Sequence, residues 1–433
     1  MGAAMTVTAP RTAASTPPTR LGRLPTRTGL RVGAAVIAGL IIALGLTATF
    51  DAAGRGSALQ DAATRAEPLA IAAEEIYRDL SDADATAAEV FLSGAQAGTS
   101  GLDRYNADIR QVATGLAAVS ADAGSSPQLR AAAAQITADL PVYTNLVGTA
   151  QADGRQNLPI GAAYLREASA LMRADLLPAA QRVLAAETGR LAADGATASA
   201  GPEAELALAV VVAAVLCLLQ LFLVRRTHRM ANPGIVAATL VVLTVALWGG
   251  LSVSGAADTS GEASAHRSAA DALAATDLAV LRAHGDELLT LAARGEDVGS
   301  YEQDFQSTST HLTALLTAVR GYPIGDAEAS YRTWLDDHKA LAAQEAAPQP
   351  DNSANLTALA QVTRTDAGGS GSEFAHADTA VRGAVQAQEQ AYLASINAGR
   401  SDVAGLAAGC AILAAAALIA AGHGVNQRLR EYR

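Results

Sequence analysis

Four uninterrupted apolar stretches, residues 32–50, 206–224, 235–253 and 403–422, break an otherwise polar chain. Each is about the length that crosses a hydrocarbon core of ~30 Å as a helix rising 1.5 Å per residue. Lipid offers the backbone no hydrogen bonds, so such a segment inserts as a helix. The order is span, long polar stretch, span, a ten-residue connector at 225–234, and then span, polar stretch, span again. If all four cross, the two polar stretches share one face of the membrane and the termini and connector share the other.

Charge placement orients this plan. Residues 1–31 carry Arg11, Arg20, Arg23, Arg27 and Arg31 and no acid. The connector carries Arg225, Arg226 and Arg229, and the tail carries Arg428, Arg430 and Arg433 against Glu431. Short arginine-rich flanks stay in the cytoplasm, which predicts a multi-pass plasma-membrane protein with both termini inside. The polar stretches are acidic: 18 acids and 11 bases in 51–200, 21 acids and 9 bases in 256–402. With no basic patch outside, nucleic-acid binding has no support. A cleaved leader is the rival reading of the N-terminus. The apolar run is long for one, and no clean A-x-A site follows it before Asp51. Cys217 and Cys410 fall inside predicted spans, so no disulfide framework holds the outer parts.

Both polar stretches read as helix. Leu69, Ala73, Ile76, Leu80, Ala83, Ala87 and Val90 form a 4-3 seam, followed by Leu102, Tyr105, Ile109, Val112, Leu116 and Val119. A third seam is Leu129, Ala133, Ile136, Leu140, Tyr143 and Val147, and a fourth helix starts near Gly161 with a kink expected at Pro178. Val298, Tyr301, Phe305, Thr308, Leu312 and Leu315 repeat the second seam at a constant offset of 196. The predicted fold is an all-α membrane protein with four transmembrane helices and two extracytoplasmic helical bundles in tandem repeat. Its parts are a basic disordered tail (1–31), bundle A (51–203), bundle B (256–402), the cytoplasmic loop 225–234, the tail 423–433 and the four spans.

No catalytic motif is present, which predicts a protein that is not an enzyme and takes no cofactor or metal. None of the seven histidines pairs with another at ligand spacing, and His338 falls on a core seam. Tyr143, Tyr331 and Trp334 are expected to fill bundle cores. The spans carry no charge, Gln220 being their most polar group, which argues against transport. Gly405 and Gly409 form a G-x-x-x-G pair suited to close helix approach. The loops farthest from the membrane hold Arg155, Gln156 and Asn157, and Arg294, Glu296 and Asp297, the candidate partner surface. Cytoplasmic coupling is assigned to Arg225, Arg226, Arg229, Arg428, Arg430 and Arg433, whose other role is contact with anionic membrane lipids.

Helices that leave one span, bundle outside and return by another resemble bacterial sensor modules, but here no cytoplasmic output domain follows. Four spans, two large outer bundles, short basic cytoplasmic segments and the ending Gly424-Val425-Asn426-Gln427-Arg428-Leu429-Arg430-Glu431-Tyr432-Arg433 resemble the GlnX-type membrane proteins of actinobacteria. That resemblance implies a link between an extracytoplasmic amino-acid-binding lipoprotein and a soluble Ser/Thr protein kinase, with aspartate and glutamate as the sensed ligands. The expected function is therefore a transmembrane signalling adaptor. A direct small-molecule sensor, or a structural or accessory subunit of a transporter, are the alternatives. The spans leave room for pairing with another subunit, including a second copy in a homodimer.

Overall fold

A computed structural model describes residues 26–93, 99–122, 126–156, 158–201, 203–227, 232–293, 298–345, 360–362 and 369–431. Among these residues there is no strand, and the protein is an all-α membrane protein. The helices are α1 (Thr26–Asp61), α2 (Glu67–Ser93), α3 (Thr99–Asp122), α4 (Pro127–Arg155), α5 (Ile160–Leu171) and α6 (Leu177–Ser199). They continue as α7 (Glu203–Thr227), α8 (Pro233–Ala293), α9 (Val298–Ala318), α10 (Ala327–Glu345), α11 (Ser370–Val403) and α12 (Leu406–Glu431). Single π-helical turns, Ala62–Ala66 and Met172–Leu176, join α1 to α2 and α5 to α6. Among the described residues, four helices are long and apolar enough to cross a membrane.

The chain divides into two compact units. The first gathers the described parts of Met1–Thr49, Glu203–Trp248 and Ala408–Arg433. Its core is Ile37, Ile41, Leu44, Val212, Leu216, Ile235, Val242 and Ala417, while Val36, Leu46, Val210, Leu218, Leu247 and Ile419 face outward, as lipid contact requires. Small residues set its close contacts. A Cβ on Gly409 would lie 2.3 Å from the Trp248 ring, and one on Gly234 would lie 2.6 Å from the Gly424 Cα. Gly405 does something else: at φ +75 it ends α11 in a left-handed turn, and nothing approaches its Cβ position. The sequence expectation of a packed pair therefore applies to Gly409 and not to Gly405.

The second unit contains Phe50–Pro202 and Gly249–Ala407. Bundle A is formed by α2, α3, α4 and the α5–α6 rod. Ser126 caps α4 by accepting from the Leu129 N–H, with Pro127 at the first helical position. Pro178 stands directly after the π turn within the continuous α5–α6 rod, where the locally shifted backbone bonding accommodates its missing N–H. Bundle B is formed by the second half of α8 with α9, α10 and α11 around Trp334, Tyr331, Phe305, Phe374 and Val381. The two bundles are not separately closed. Leu288, Leu289 and Ala292 of α8 belong to the core that Leu80, Ile136, Tyr143 and Met172 build in bundle A.

Burial offers a second register beside the one read from sequence. At an offset of 196, buried Tyr105 and Val119 fall on half-buried Tyr301 and Leu315. Sliding by one further helical step pairs buried with buried: Tyr105 with Phe305, Val112 with Leu312, Leu116 with Leu316 and Val119 with Val319. A 4-3 seam nearly superposes on itself when shifted by four, so both offsets match apolar with apolar. On the same step Leu80 meets Val280 and Ala83 meets Ala283. Ala85 and Gly285, again equivalent, lie side by side where α2 and α8 run against each other.

Candidate functional site: the charged seam and cleft between the bundles

Residues 80–88 of α2 and 283–290 of α8 are buried on every side. A helix buried all round needs partners for any charge it carries. Asp84 of α2 is fully enclosed and accepts from the Ser169 hydroxyl at 2.7 Å and the Tyr143 hydroxyl at 3.3 Å. Burial raises its pKa, against the opposing pull of Arg173 and these two donors. In bundle B the buried acid is Glu287. It accepts from Trp334 Nε1 at 2.9 Å and faces His338 Nδ1 at 3.2 Å, and the other His338 nitrogen faces Glu302 at 3.1 Å. His338 stacks on Phe305 and His284 on Phe374. Burial would push the Glu287 carboxyl up, but the hydrogen bonds and charge of His284 and His338 bring it below its ordinary value. Burial lowers and the two glutamates raise His338, with a net rise. His338 is thus a core residue with both ring nitrogens engaged.

Three arginines cross from one bundle to the other. Arg78 of α2 reaches Asp277 of α8 and donates to Asp378 of α11 at 2.8 Å. Burial lifts Asp277 to about 7, with the nearby Asp378 carboxyl adding to the rise and Arg78 opposing it. Arg173, carried on the π turn before α6, pairs with Asp286 of α8 at 2.5 Å and Asp304 of α9 at 3.3 Å and lies over the Tyr301 ring. Insertion of one extra residue per turn re-aims a side chain, a recurrent use of π turns at functional positions. Arg267 of α8 returns the contact to Glu67 of α2 at 3.2 Å, with Glu74 at 3.9 Å. Burial pushes Glu67 up to about 7 and Glu74 up to about 8.

Beside this seam lies a cleft of about 600 Å³ bounded by α2, α6, α8 and α9. Leu184, Ala185, Ala274, Ala275, Leu278 and Ala279 supply apolar walls, and Glu74, Tyr77, Gln181, Asp271, Arg282, Asp304, Ser307 and His311 the polar ones. A smaller cavity of about 120 Å³ shares Tyr77, Gln181 and Arg282 with it and reaches Asp84 and Arg173. Pockets of this size and mixed lining are typical of small-molecule sites.

The residues singled out by sequence fall elsewhere. Arg155 is exposed at the end of α4, and Gln156 caps that helix, its N–H donating to Asp153 O at 3.0 Å. Asn157, Arg294, Glu296, Asp297, Arg229 and Arg433 lie outside the described residues. Arg225 is exposed near the end of α7, Arg226 follows it in the same helix, and Arg428 and Arg430 belong to α12. Connector and tail do meet, through a residue that sequence reading passed over. Buried Asn232 donates from Nδ2 to Gly424 O at 2.8 Å and accepts from Gly234 N at 3.0 Å. Arg78, Arg173, Arg267 and Glu287 were also passed over.

Fold and site together define an all-α membrane protein whose polar unit is built around a charged seam between two bundles. Residues 58–196, which include most of bundle A with Arg78, Arg173 and one wall of the cleft, match the family model described as actinobacterial sensor domain. This fits a sensor protein of actinobacterial type. No curated protein and no solved structure matches the chain.

Proposed function

We propose that the protein is a non-enzymatic transmembrane signalling adaptor. It relays the availability of a solute, an amino acid by the family resemblance, from an extracytoplasmic binding lipoprotein to a cytoplasmic Ser/Thr protein kinase. The observation that carries this reading is the sensor-domain match lying on a bundle that is tied by Arg78, Arg173 and Arg267 to a second bundle. Oppositely charged pairs across a buried seam have discrete arrangements, which suits a two-state relay. The arginine-rich termini and connector support an orientation with both termini in the cytoplasm and the bundles outside. The common burial register of α2–α3 and α8–α9 supports an origin by duplication. Crosslinking and capture from native membranes, with amino acids supplied or withheld, should recover a solute-binding lipoprotein and a kinase. Recovery of neither under every condition refutes the relay. Reporter fusions at each terminus test the orientation.

One observation favours a second reading, direct sensing: the cleft has the size and mixed lining of small-molecule sites and lies in the unit that carries the sensor-domain match.

A further inference from the structure

We infer that the cleft between the bundles binds a small amphipathic anion, a carboxylate carried on an apolar body, with Arg282 as its counter-ion. This deepens the direct-sensor reading by naming the ligand chemistry. Two of the three carboxylates in the wall are already committed: Asp271 to Arg267 and Asp304 to Arg173. Arg282 is exposed, lines both the cleft and the adjoining cavity, and makes no hydrogen bond or ion pair among the described residues. Around it the Tyr77 hydroxyl, Gln181 amide, Ser307 hydroxyl and His311 ring are donors without a described hydrogen-bond partner. The remaining carboxyl, Glu74, has no hydrogen bond and faces Arg267, Asp271 and Asp277 of α8 and Glu389 of α11. At about 8 its pKa keeps it protonated near neutrality, so it too is a donor. A site with one unpaired guanidinium and a surplus of donors asks for an acceptor-rich, negatively charged group. The apolar walls of Leu184, Leu278 and four alanines ask for a hydrocarbon or aromatic body behind it.

The pH dependence has a defined sign. An anion is accepted beside a protonated Glu74 and repelled by an ionised one, so affinity falls as pH rises through about 8. A cationic ligand would show the reverse. The test uses the full chain in zwitterionic-lipid nanodiscs with empty discs as blank. Calorimetry is run with soluble carboxylates of four to ten carbons, benzoate and phenylacetate among them, and with benzylamine and benzyl alcohol. At least one carboxylate should bind, more tightly at pH 6.5 than at pH 9. Arg282→Gln should weaken it by about tenfold or more, with Arg282→Lys between the two. Glu74→Gln, which keeps a neutral donor, should retain binding and flatten its pH dependence. Preference for benzylamine, carboxylate binding unchanged in Arg282→Gln, or no binding across the panel overturns the assignment. Arg282 is exposed, so its variants are expected to fold, and capture of the lipoprotein and kinase from membranes is read independently of the cleft.

Discussion

Replacing Arg78 by methionine removes the cation that bridges Asp277 and Asp378 between the bundles, leaving Asp378 with Arg382 of its own helix and Asp277 without an ion pair among the described residues. The three side chains are 13%, 6% and 13% exposed, so solvent screens the loss poorly. Breaking a buried pair by removing one partner costs roughly 3–5 kcal/mol, because the remaining charge is left uncompensated. Here the cost depends on protonation. The folded pKa of Asp277 lies above its unfolded value, so its contribution to the fold is fully present below about 4 and is lost as pH rises through about 7. Without Arg78 the two carboxyls move higher still and the variant takes up protons that the wild type does not. Its deficit is therefore largest near pH 8 and shrinks toward pH 5, by up to ~1.4 kcal/mol per pH unit for each extra proton held. Adding Asp277→Asn should recover much of the loss at pH 8. Denaturant titration in nanodiscs, followed by the emission of buried Trp334 in a Trp248→Phe background, reads all of this. A deficit under about 1 kcal/mol, or one that does not change with pH, would refute the account of the seam as a buried, proton-linked clamp.

Glu287→Gln keeps the shape of the bundle B hub but removes its charge, and should cost about 1–3 kcal/mol. In the wild type the hub's contribution is lost as pH falls through the lowered Glu287 value and as it rises through the raised His338 value; NMR of His338 should show its pKa dropping in the variant. Gly409→Ala places a methyl group into the Trp248 ring and should destabilise the membrane unit by roughly 1–3 kcal/mol, a loss relieved by Trp248→Ala in the same thermal assay. Asn232→Ala leaves Gly424 without its side-chain donor. It should increase thiol labelling of a cysteine placed at Gln427; unchanged labelling would count against the clasp.

The spans and the seams were legible because both are periodic: Ala73, Ile76, Leu80, Ala83 and Ala87 lie at 4-3 spacing, and all are buried. The cores of α3 and α4 were legible for the same reason, through Val112, Val119, Leu129, Ile136, Tyr143 and Val147. What periodicity could not show is the second contact surface of α2 and α8. Asp82 and Asp84 stand on either side of Ala83 and read as solvent-facing, yet both are buried, Asp82 against Arg104 of α3 and Asp84 against Tyr143 and Ser169. Arg78, Arg173 and Arg267 likewise read as ordinary surface charges, since nothing local to a helix reveals a partner distant in sequence, 131 residues on for Arg173 and Asp304 and 300 for Arg78 and Asp378. The cleft follows from that long-range packing and so left no local signature either. Gly405 shows a smaller limit: its spacing from Gly409 suggested packing, and only its backbone angle reveals a turn.

The contact between Ala85 and Gly285 joins two positions that are equivalent in the burial register. Contact between equivalent positions is the property of an isologous interface, the kind that relates two identical chains by a two-fold axis. On the duplication reading, the same face in a single-copy ancestor with two spans would have made a homodimer, with α2 of one chain against α2 of the other. Fusion then made that association independent of concentration and freed each side to specialise. The buried acids differ in place as well as in kind: Asp84, held by serine and tyrosine, falls on His284 in that register, and Glu287, held by tryptophan and histidine, falls on Ala87. A dimer of identical chains could not have kept those two chemistries apart.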